Sequence, residues 1–383
     1  MDFNLQEEQL ILKDTVRRFV NERVMTQARA WDRDEKFPLE TVQELGAMGL
    51  MGIRVQPEWE GSGLGSTELA LVIEEIARGD GSLALTVASH NGLCTGHINM
   101  FGNDAQQEKY VKSLAQGKTL GAWGLSEPGS GSDAAGMFTT ATRDGDSWVL
   151  NGSKIFITQG TVGDVYVVMA RTDKEKGSKG ISAFILEKGM KGFSQEPMKE
   201  KLGMRASDTA ILNFDQVRVP AENMIGLEGE GFVQALQILD RGRITIAALA
   251  LGLGVGAFEA STRYAQERKQ FGKPISEFQA IQWKLANMAM ELEAARLLTY
   301  RAAHLCDLGE DFSKAASMAK LFASEAAMRA TDEAIQIHGG YGYTAEFPVE
   351  RYYRDAKLCT IGEGTSEIQR LVIARHVLKE ANN

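Results

Sequence analysis

Residues 147–158 read SWVLNGSKIFIT, and how this stretch is read decides the fold. Apolar, β-branched and aromatic residues stand on both sides of Asn151-Gly152, a pair that readily takes positive φ. Two such runs joined by Asn-Gly predict a strand, a two-residue turn and a second strand. Working outward, DVYVVMAR (164–171), ISAFILE (181–187) and TAILNFDQVRV (209–219) read as further strands separated by polar, glycine-containing turns, and Pro220 closes the run. Residues 121–228 are therefore expected to form an all-β domain.

The flanks have a different period. In 1–120, Asn4 and Glu7 have capping-box spacing, and Leu5, Leu12, Val16 and Phe19 follow on one helical face. PLETVQELGAMGL (38–50) reads as a second helix ended by glycines, and STELALVIEEIARGD (66–80) as a third with Gly79 just past its end. From 229 to 383 the period is again helical, with long segments at 276–307 and 311–338. ANMAMELEAARLLTYRAAHL (286–305) has the three- and four-residue apolar steps of a bundle helix. The order is α, β, α, with no internal repeat.

The 383 residues, 44% hydrophobic and 24% charged, can bury a large core. A net charge of −9 argues against nucleic acid as the main partner. Cys94, Cys306 and Cys359 are too far apart for a metal-spaced pair or a disulfide framework, which favours a reducing, cytoplasmic setting and no metal. The start, MDFNLQEEQL, has neither the apolar core of a signal peptide nor the arginines of a transit peptide. The longest apolar run, 244–258, is short and glycine-rich for a membrane span, so no membrane is expected. Gly252, Gly254 and Gly256 in IAALALGLGVGAFEA (246–260) imitate a dinucleotide-binding turn. The surroundings are helical and no second strand follows, so close helix packing is the better reading and a nicotinamide cofactor is disfavoured.

Near the end, CTIGEGTSEIQR (359–370) sets Glu363 between two glycines. Either Gly362 ends a helix and Glu363 is solvated, or the loop brings a carboxylate close to a ligand. WGLSEPGSGSDAAG (123–136), rich in small residues at the α-to-β junction, is likewise either a linker or a ligand-binding loop.

Together with KIFITQG (154–160), ERKQFGKPISEFQA (267–280), IQIHGGYGYTAEFPVERYYRDAK (335–357) and IGEGTSEIQRLVIARH (361–376), these segments resemble the acyl-CoA dehydrogenase family over the full length and in order. The resemblance implies an α+β multidomain fold with an N-terminal α-helical domain, a middle β-barrel or sandwich domain and a C-terminal four-helix bundle. It further implies FAD, a homotetramer, and α,β-dehydrogenation of an acyl-CoA thioester to a 2-enoyl-CoA. Glu363 would abstract the α-proton, FAD N5 would accept the β-hydride, and electrons would pass to an electron-transfer flavoprotein. A closed, apolar site should raise the pKa of Glu363.

At matching positions the resemblance places Leu125, Ser126, Phe156, Ile157 and Thr158 against the flavin. Arg268 and Gln270 would reach the FAD diphosphate, from a neighbouring subunit, and an arginine fork suits that group. Gln279, Gln336, Gly339 and Gly340 match further FAD contacts, and Thr365 and Glu367 match contacts beyond the base. Ser132, Asp240, Arg243 and Gly364 match substrate positions. Outside the resemblance, Asp240 and Arg243 would be a local surface ion pair. Some relatives carry the base elsewhere, on a bundle helix; that position falls in LDRGR (239–243), where Gly242 offers no carboxylate. Three departures stand out: Phe156 for the usual Trp, Gln159 for Asn, and Gly362 where many short- and medium-chain relatives have Tyr. The rival readings are an acyl-CoA oxidase that uses oxygen, whose relatives are usually longer, and a non-catalytic acyl-CoA-binding protein of the same fold.

Overall fold

The computed structural model describes residues 4–382. Helices α1 (Glu7–Phe19), α2 (Ala28–Asp34), α3 (Leu39–Ala47), α4 (Ser66–Gly79), α5 (Gly81–Ser89), α6 (Gly96–Phe101), α7 (Asp104–Gln106) and α8 (Lys112–Ala115) come first. Strands β1 (Gly121–Gly124), β2 (Thr140–Asp144), β3 (Ser147–Thr158), β4 (Val165–Arg171), β5 (Ile181–Glu187), β6 (Phe193–Pro197), β7 (Thr209–Pro220) and β8 (Met224–Ile225) follow. Helices α9 (Gly231–Glu267), α10 (Gln279–Asp307), α11 (Ser313–His338), α12 (Val349–Cys359) and α13 (Ser366–Glu380) complete the chain, with a small β9–β10 ribbon (Lys269–Gln270, Lys273–Pro274) between α9 and α10.

The eight strands form one mixed sheet in the order β6-β7-β3-β2-β4-β5-β8, with β1 alongside β4. Asn151-Gly152 is not a hairpin turn. Residues 147–158 are one continuous strand, and the hairpin turns earlier, at Gly145-Asp146, where Asp144 pairs with Ser147 and Gly145 has φ +60°. At Asn151 the register slips: Leu150 faces Val217, but Gly152 faces Phe214. The Asn151 Oδ1 accepts from the Gln216 backbone N–H at 2.9 Å and pins this bulge. The extra residue of the bulge lies on β7, where Gln216 is left-handed (φ 53°), and Asn151-Gly152 sits opposite it with Gly152 at φ 139°.

Both faces of β4 are covered, as its unbroken burial shows. Tyr166 and Val168 join Trp148, Phe184 and Phe214 in one cluster, while Val167 and Met169 pack with Trp123, Ile98 and Leu114 in another. Two neutral histidines fasten β1 to the N-terminal helices. The Gly121 N–H donates to His90 Nδ1 at 3.2 Å, so His90 Nε2 carries the proton and donates to the Leu114 carbonyl at 2.9 Å. The Trp123 indole donates to His97 Nδ1 at 3.1 Å, so His97 Nε2 donates to Gln234 Oε1 at 3.0 Å. Burial pushes both imidazoles down to about 4, which keeps them neutral.

The capping box of α1 lies two residues after the expected one: Gln9 Oε1 accepts from the Gln6 N–H at 3.0 Å, and Glu7 is the first helical residue. Gly79 is the last residue of α4 rather than lying past it, and Asp80 caps α5 by accepting from the Leu83 N–H. The glycines of α9 are packing glycines. A Cβ at Gly252 would lie 2.3 Å from the Glu74 carbonyl oxygen, and one at Gly256 2.5 Å from that of Arg78, so α4 and α9 meet backbone to backbone. With 37 residues, α9 is long and apolar enough to cross a membrane, beyond what the 244–258 run suggested, yet 83% of its apolar window is buried inside the protein.

This contact gives a stability prediction. Alanine at 252 improves helix propensity, but its methyl group has no room against Glu74. Gly252→Ala should cost about 1–3 kcal/mol by overpacking and lower the melting temperature. An unchanged melting temperature would mean that α4 and α9 part easily.

Candidate active site

The loop between α12 and α13 is held tightly. The Ile361 and Gly362 N–H groups both donate to the Leu358 carbonyl, at 2.9 and 2.8 Å. Thr360, not Gly362, is the C-cap of α12; the left-handed residues are Glu363 (φ 52°) and Gly364 (φ 95°). A left-handed glutamate is uncommon and costs backbone energy, so something must hold it. The fully buried Gln369 amide donates to the Gly364 carbonyl at 2.9 Å and to that of Glu363 at 3.3 Å. Thr365 caps α13, its Oγ1 accepting from the Ile368 N–H.

The Glu363 carboxylate is turned inward. Its Oε2 is enclosed and has no hydrogen-bond partner. It rests on Gly242 of α9, where a Cβ would sit only 1.8 Å away. Burial raises the pKa to about 7, against the pull of Lys320 first and Arg243 second. Glu363 is half-buried, with its Oε2 enclosed rather than solvated. Position 242, where some relatives carry the base, faces position 363, and the missing side chain on one is the space filled by the other.

Asp240 and Arg243, one turn apart on α9, form an ion pair. Arg243 Nη1 also donates to Ser317 Oγ at 3.2 Å, and Ser313 Oγ donates to Asp240 Oδ1 at 3.1 Å. Arg243 is buried, so this is not a surface pair; desolvation lowers its pKa despite Asp240, and Glu363 is the next charge it feels. Glu367 lies exposed in the first turn of α13.

A second group of expected residues lies on the sheet. Between Lys154 and Ile157 the β3–β7 register shifts again, and Phe156 (φ 61°) is thrown outward with 64% of its surface exposed, while Ile157 is buried. Thr158 pairs with Thr209. Beneath them a buried ion pair was not foreseen: Lys154 Nζ donates to Glu127 Oε1 at 2.7 Å and to the Leu125 carbonyl at 3.1 Å. Glu127 also accepts from the Phe138 and Thr139 N–H groups, so one carboxylate organises the loop that carries Leu125 and Ser126. Desolvation pushes the Lys154 ammonium down to about 8, opposed by Glu127. The signal was a lysine in an otherwise inward-facing strand phase. Gln159, also left-handed, is fully buried with both amide atoms unpartnered. Ser132 is exposed in the same loop.

A third group surrounds a cleft of about 630 Å³ at the far end of α9, lined by Arg268, Gln270, Gly339, Gly340, Tyr264 and His338, among others. Arg268 lies over the Tyr341 ring at 5.7 Å, and Gly339 has φ 58°. Gln279 and Gln336 are exposed and are not among the residues lining it. The residues assigned to one cofactor thus do not gather in one cleft: this one is lined by Arg268, Gln270, Gly339 and Gly340 but by none of Leu125, Ser126, Phe156, Ile157 or Thr158.

A carboxylate whose pKa is raised to about 7 between α9, α11 and α13 is suited to taking a proton from a bound molecule. Residues 6–118, 122–217 and 229–378 match, respectively, the N-terminal, middle and C-terminal domains of acyl-CoA dehydrogenase, and the chain belongs to that family of FAD-dependent oxidoreductases. It is 46% identical over 379 residues to the short-chain specific acyl-CoA dehydrogenase of Clostridium acetobutylicum, covering 99% of this chain and 100% of that one. It is 45% identical over 375 residues to the rat mitochondrial short-chain enzyme, covering 98% and 91%. Butyryl-CoA dehydrogenase from Megasphaera elsdenii superposes with a TM-score of 0.97 at 44% identity, covering 99% and 100%. A chain from a structure described as "Electron transferring flavoprotein of Acidaminococcus fermentans: Towards a mechanism of flavin-based electron bifurcation" does so with a TM-score of 0.97 at 46% identity, with the same coverage.

The contact between positions 242 and 363 can be tested directly. In Gly242→Ala the methyl group must push the carboxylate out of its slot. Misplacement by about 1 Å can cost on the order of 10²-fold in rate. Anaerobic flavin bleaching by acyl-CoA should slow by at least about ten-fold with flavin content unchanged; a normal rate would show that Glu363 acts from another rotamer.

Proposed function

We propose that this chain oxidises an acyl-CoA thioester to the 2-enoyl-CoA, with Glu363 as the base, and passes the electrons to an electron-transfer flavoprotein. The observation that carries the reading is the enclosed Glu363 carboxylate on Gly242, poised near neutrality by burial against two cations. Such a group is ionised enough at neutral pH to act and basic enough to take a proton from a thioester α-carbon. The loop glycines leave Glu363 free of neighbouring side chains. The buried pair Asp240–Arg243 offers a fixed polar edge to the CoA portion, and Ser132 a hydroxyl.

The fit to FAD rests on two features. Phe156 presents an exposed aromatic face on a bulge braced by Lys154 and Glu127, beside Leu125, Ser126 and Thr158. The cleft with Arg268, Gln270, Gly339 and Gly340 pairs a guanidinium with side-chain-free backbone, which suits a diphosphate. When bound, the flavin supplies the acceptor for the β-hydride. Because the two places are separate, the second would serve a neighbouring copy's cofactor, which favours a homotetramer. The short-chain relatives favour a short acyl group, and Gly362, whose Cβ would meet only Leu358 at 3.6–3.8 Å, leaves the pocket wall open to wider ones. Three buried, unpaired cysteines fit a cytoplasmic setting. The relative from an electron-transferring flavoprotein structure favours that acceptor over oxygen.

Glu363→Gln keeps the shape and removes the base. It should still shift the flavin spectrum when acyl-CoA is added, yet bleach slower by on the order of 10²–10⁴-fold or more. In the unaltered enzyme the carboxylate must be ionised, so bleaching should rise with pH through an ionisation near 7 that the variant lacks. Near-normal bleaching would move the base elsewhere. For the shared cofactor site, Arg268→Ala should lose FAD and shift assembly toward smaller species, because ligand binding stabilises the state that binds it. Full flavin occupancy in sedimentation experiments would refute that placement.

A further inference from the structure

Lys320, on α11, lies in the middle of the bundle with no exposed surface. Ala316 and Ala323, one turn away on either side, and the adjacent Ala319 are equally buried and apolar. A lysine here interrupts a small-residue face that would pack well without it. Its ammonium donates at 2.7 Å to the carbonyl of Gly364, the residue that follows the base. Among the described residues Lys320 has no carboxylate within ion-pair distance and no second hydrogen bond. A desolvated ammonium with one of its three protons engaged is a large cost, and a chain that retains one must recover it electrostatically.

We infer that Lys320 is the positioning residue of the base, fixing the left-handed turn through the Gly364 carbonyl and holding Glu363 in its ionised form with a fixed buried charge. The inference deepens the reading of Glu363 as the base and rests on it. The geometry separates two roles. The hydrogen bond, shared with the Gln369 amide at 2.9 Å, fixes the peptide between Gly364 and Thr365 and therefore the direction of the neighbouring carboxylate. The charge acts across an interior in which Glu363 has no hydrogen-bond donor for Oε2.

The other charged and titratable groups around the pair come from each packed element. Arg243 projects from α9 with Asp240 as its own partner, Cys359 ends α12, and Glu367 opens α13. Arg243 is therefore already compensated, and Cys359 is held as a neutral thiol by burial, which pushes it up to about 12. Glu367 is exposed and screened by solvent. Lys320 is left as the uncompensated cation. In keeping with this, it is the larger of the two charges that draw the Glu363 pKa down, and burial in turn lowers its own to about 8.

Two substitutions divide the roles. Lys320→Gln retains a donor for the Gly364 carbonyl and loses the charge; Lys320→Met loses both. Flavin content, melting temperature and the pH dependence of anaerobic bleaching by acyl-CoA are measured on each holoenzyme. In Lys320→Gln the ionisation that governs bleaching should move up by about one pH unit or more, the usual size for loss of a nearby opposite charge. The plateau rate at high pH should stay within a few-fold. In Lys320→Met the same upward shift should be joined by a plateau about ten-fold or more lower. An unmoved ionisation in both variants overturns the proposal even if they are less stable, because a purely structural lysine would lower only melting temperature and flavin content. Failure of both variants to retain flavin overturns it too and makes Lys320 a determinant of the fold. The failures of the two readings are distinct. If Glu363→Gln bleaches normally, the base itself is misassigned; if that variant is inactive while the Lys320 variants keep the original ionisation, only the role of Lys320 falls.

Discussion

The contact between the Glu363 carboxylate and the bare backbone of Gly242 is the constraint around which the C-terminal half is arranged. A carboxylate can be kept from water only if the volume it occupies is left empty by something else and its charge is answered without neutralising it. Gly242 leaves the volume, in a helix where glycine costs about 1 kcal/mol relative to alanine. Lys320 and Arg243 answer the charge from α11 and α9. Burial alone would push the acid too high to be ionised at neutral pH, and closely paired cations alone would pull it too low to be basic. The opposition of the two leaves it near 7.

The same device recurs on the sheet. Lys154 and Glu127 are both buried, and between them they fix the Leu125 carbonyl and the Phe138 and Thr139 N–H groups. Replacing such a pair with apolar residues would cost little stability. Its worth lies in direction: three backbone groups on two segments are fixed relative to one ion pair, and one of those segments carries Leu125 and Ser126. Buried ions here fix the geometry of the Leu125–Ser126 loop and the Glu363 turn, and the fold bears their desolvation through the large apolar packing of α4, α9 and the doubly covered β4.

The α, β, α order was legible because it rests on periodicity, which any sequence displays. The role of Gly252 and Gly256 was legible because helices alone surround them. What failed was local. Asn151-Gly152 carries the dihedral preference of a turn, but here it stays in the strand opposite a bulge centred on Gln216 of β7, which only the pairing with Val217 and Phe214 reveals. Asn4 and Glu7 have the spacing of a capping box, but Gln6 and Gln9 fill the equivalent positions two residues later. Glu363 could be proposed as the base from its motif, whereas its supports could not. Gly242, Lys320 and Gln369 come from three helices, and nothing in their spacing announces that they converge. The one local sign was polarity out of phase, as with Lys154 on an inward strand position and Lys320 on an alanine face.

The two locations of the expected cofactor residues have a physical consequence. Arg268 and the Gly339–Gly340 cleft sit at the end of α9 opposite Asp240–Arg243, more than twenty residues along a straight helix. At about 1.5 Å per residue the cleft and the Asp240–Arg243 pair are separated by roughly 35 Å along α9. A cleft lined by an arginine without an ion-pair partner among the described residues is a poor feature for an isolated chain, since it leaves a guanidinium and several backbone groups to water. In the assembly proposed above, a diphosphate held here with its flavin ring on another copy would make cofactor binding and association a single equilibrium. The exposed apolar residues Trp283, Met290 and Leu297 recur every seven residues along α10, the helix that begins just beyond this cleft, and the proposed association would bury such a row.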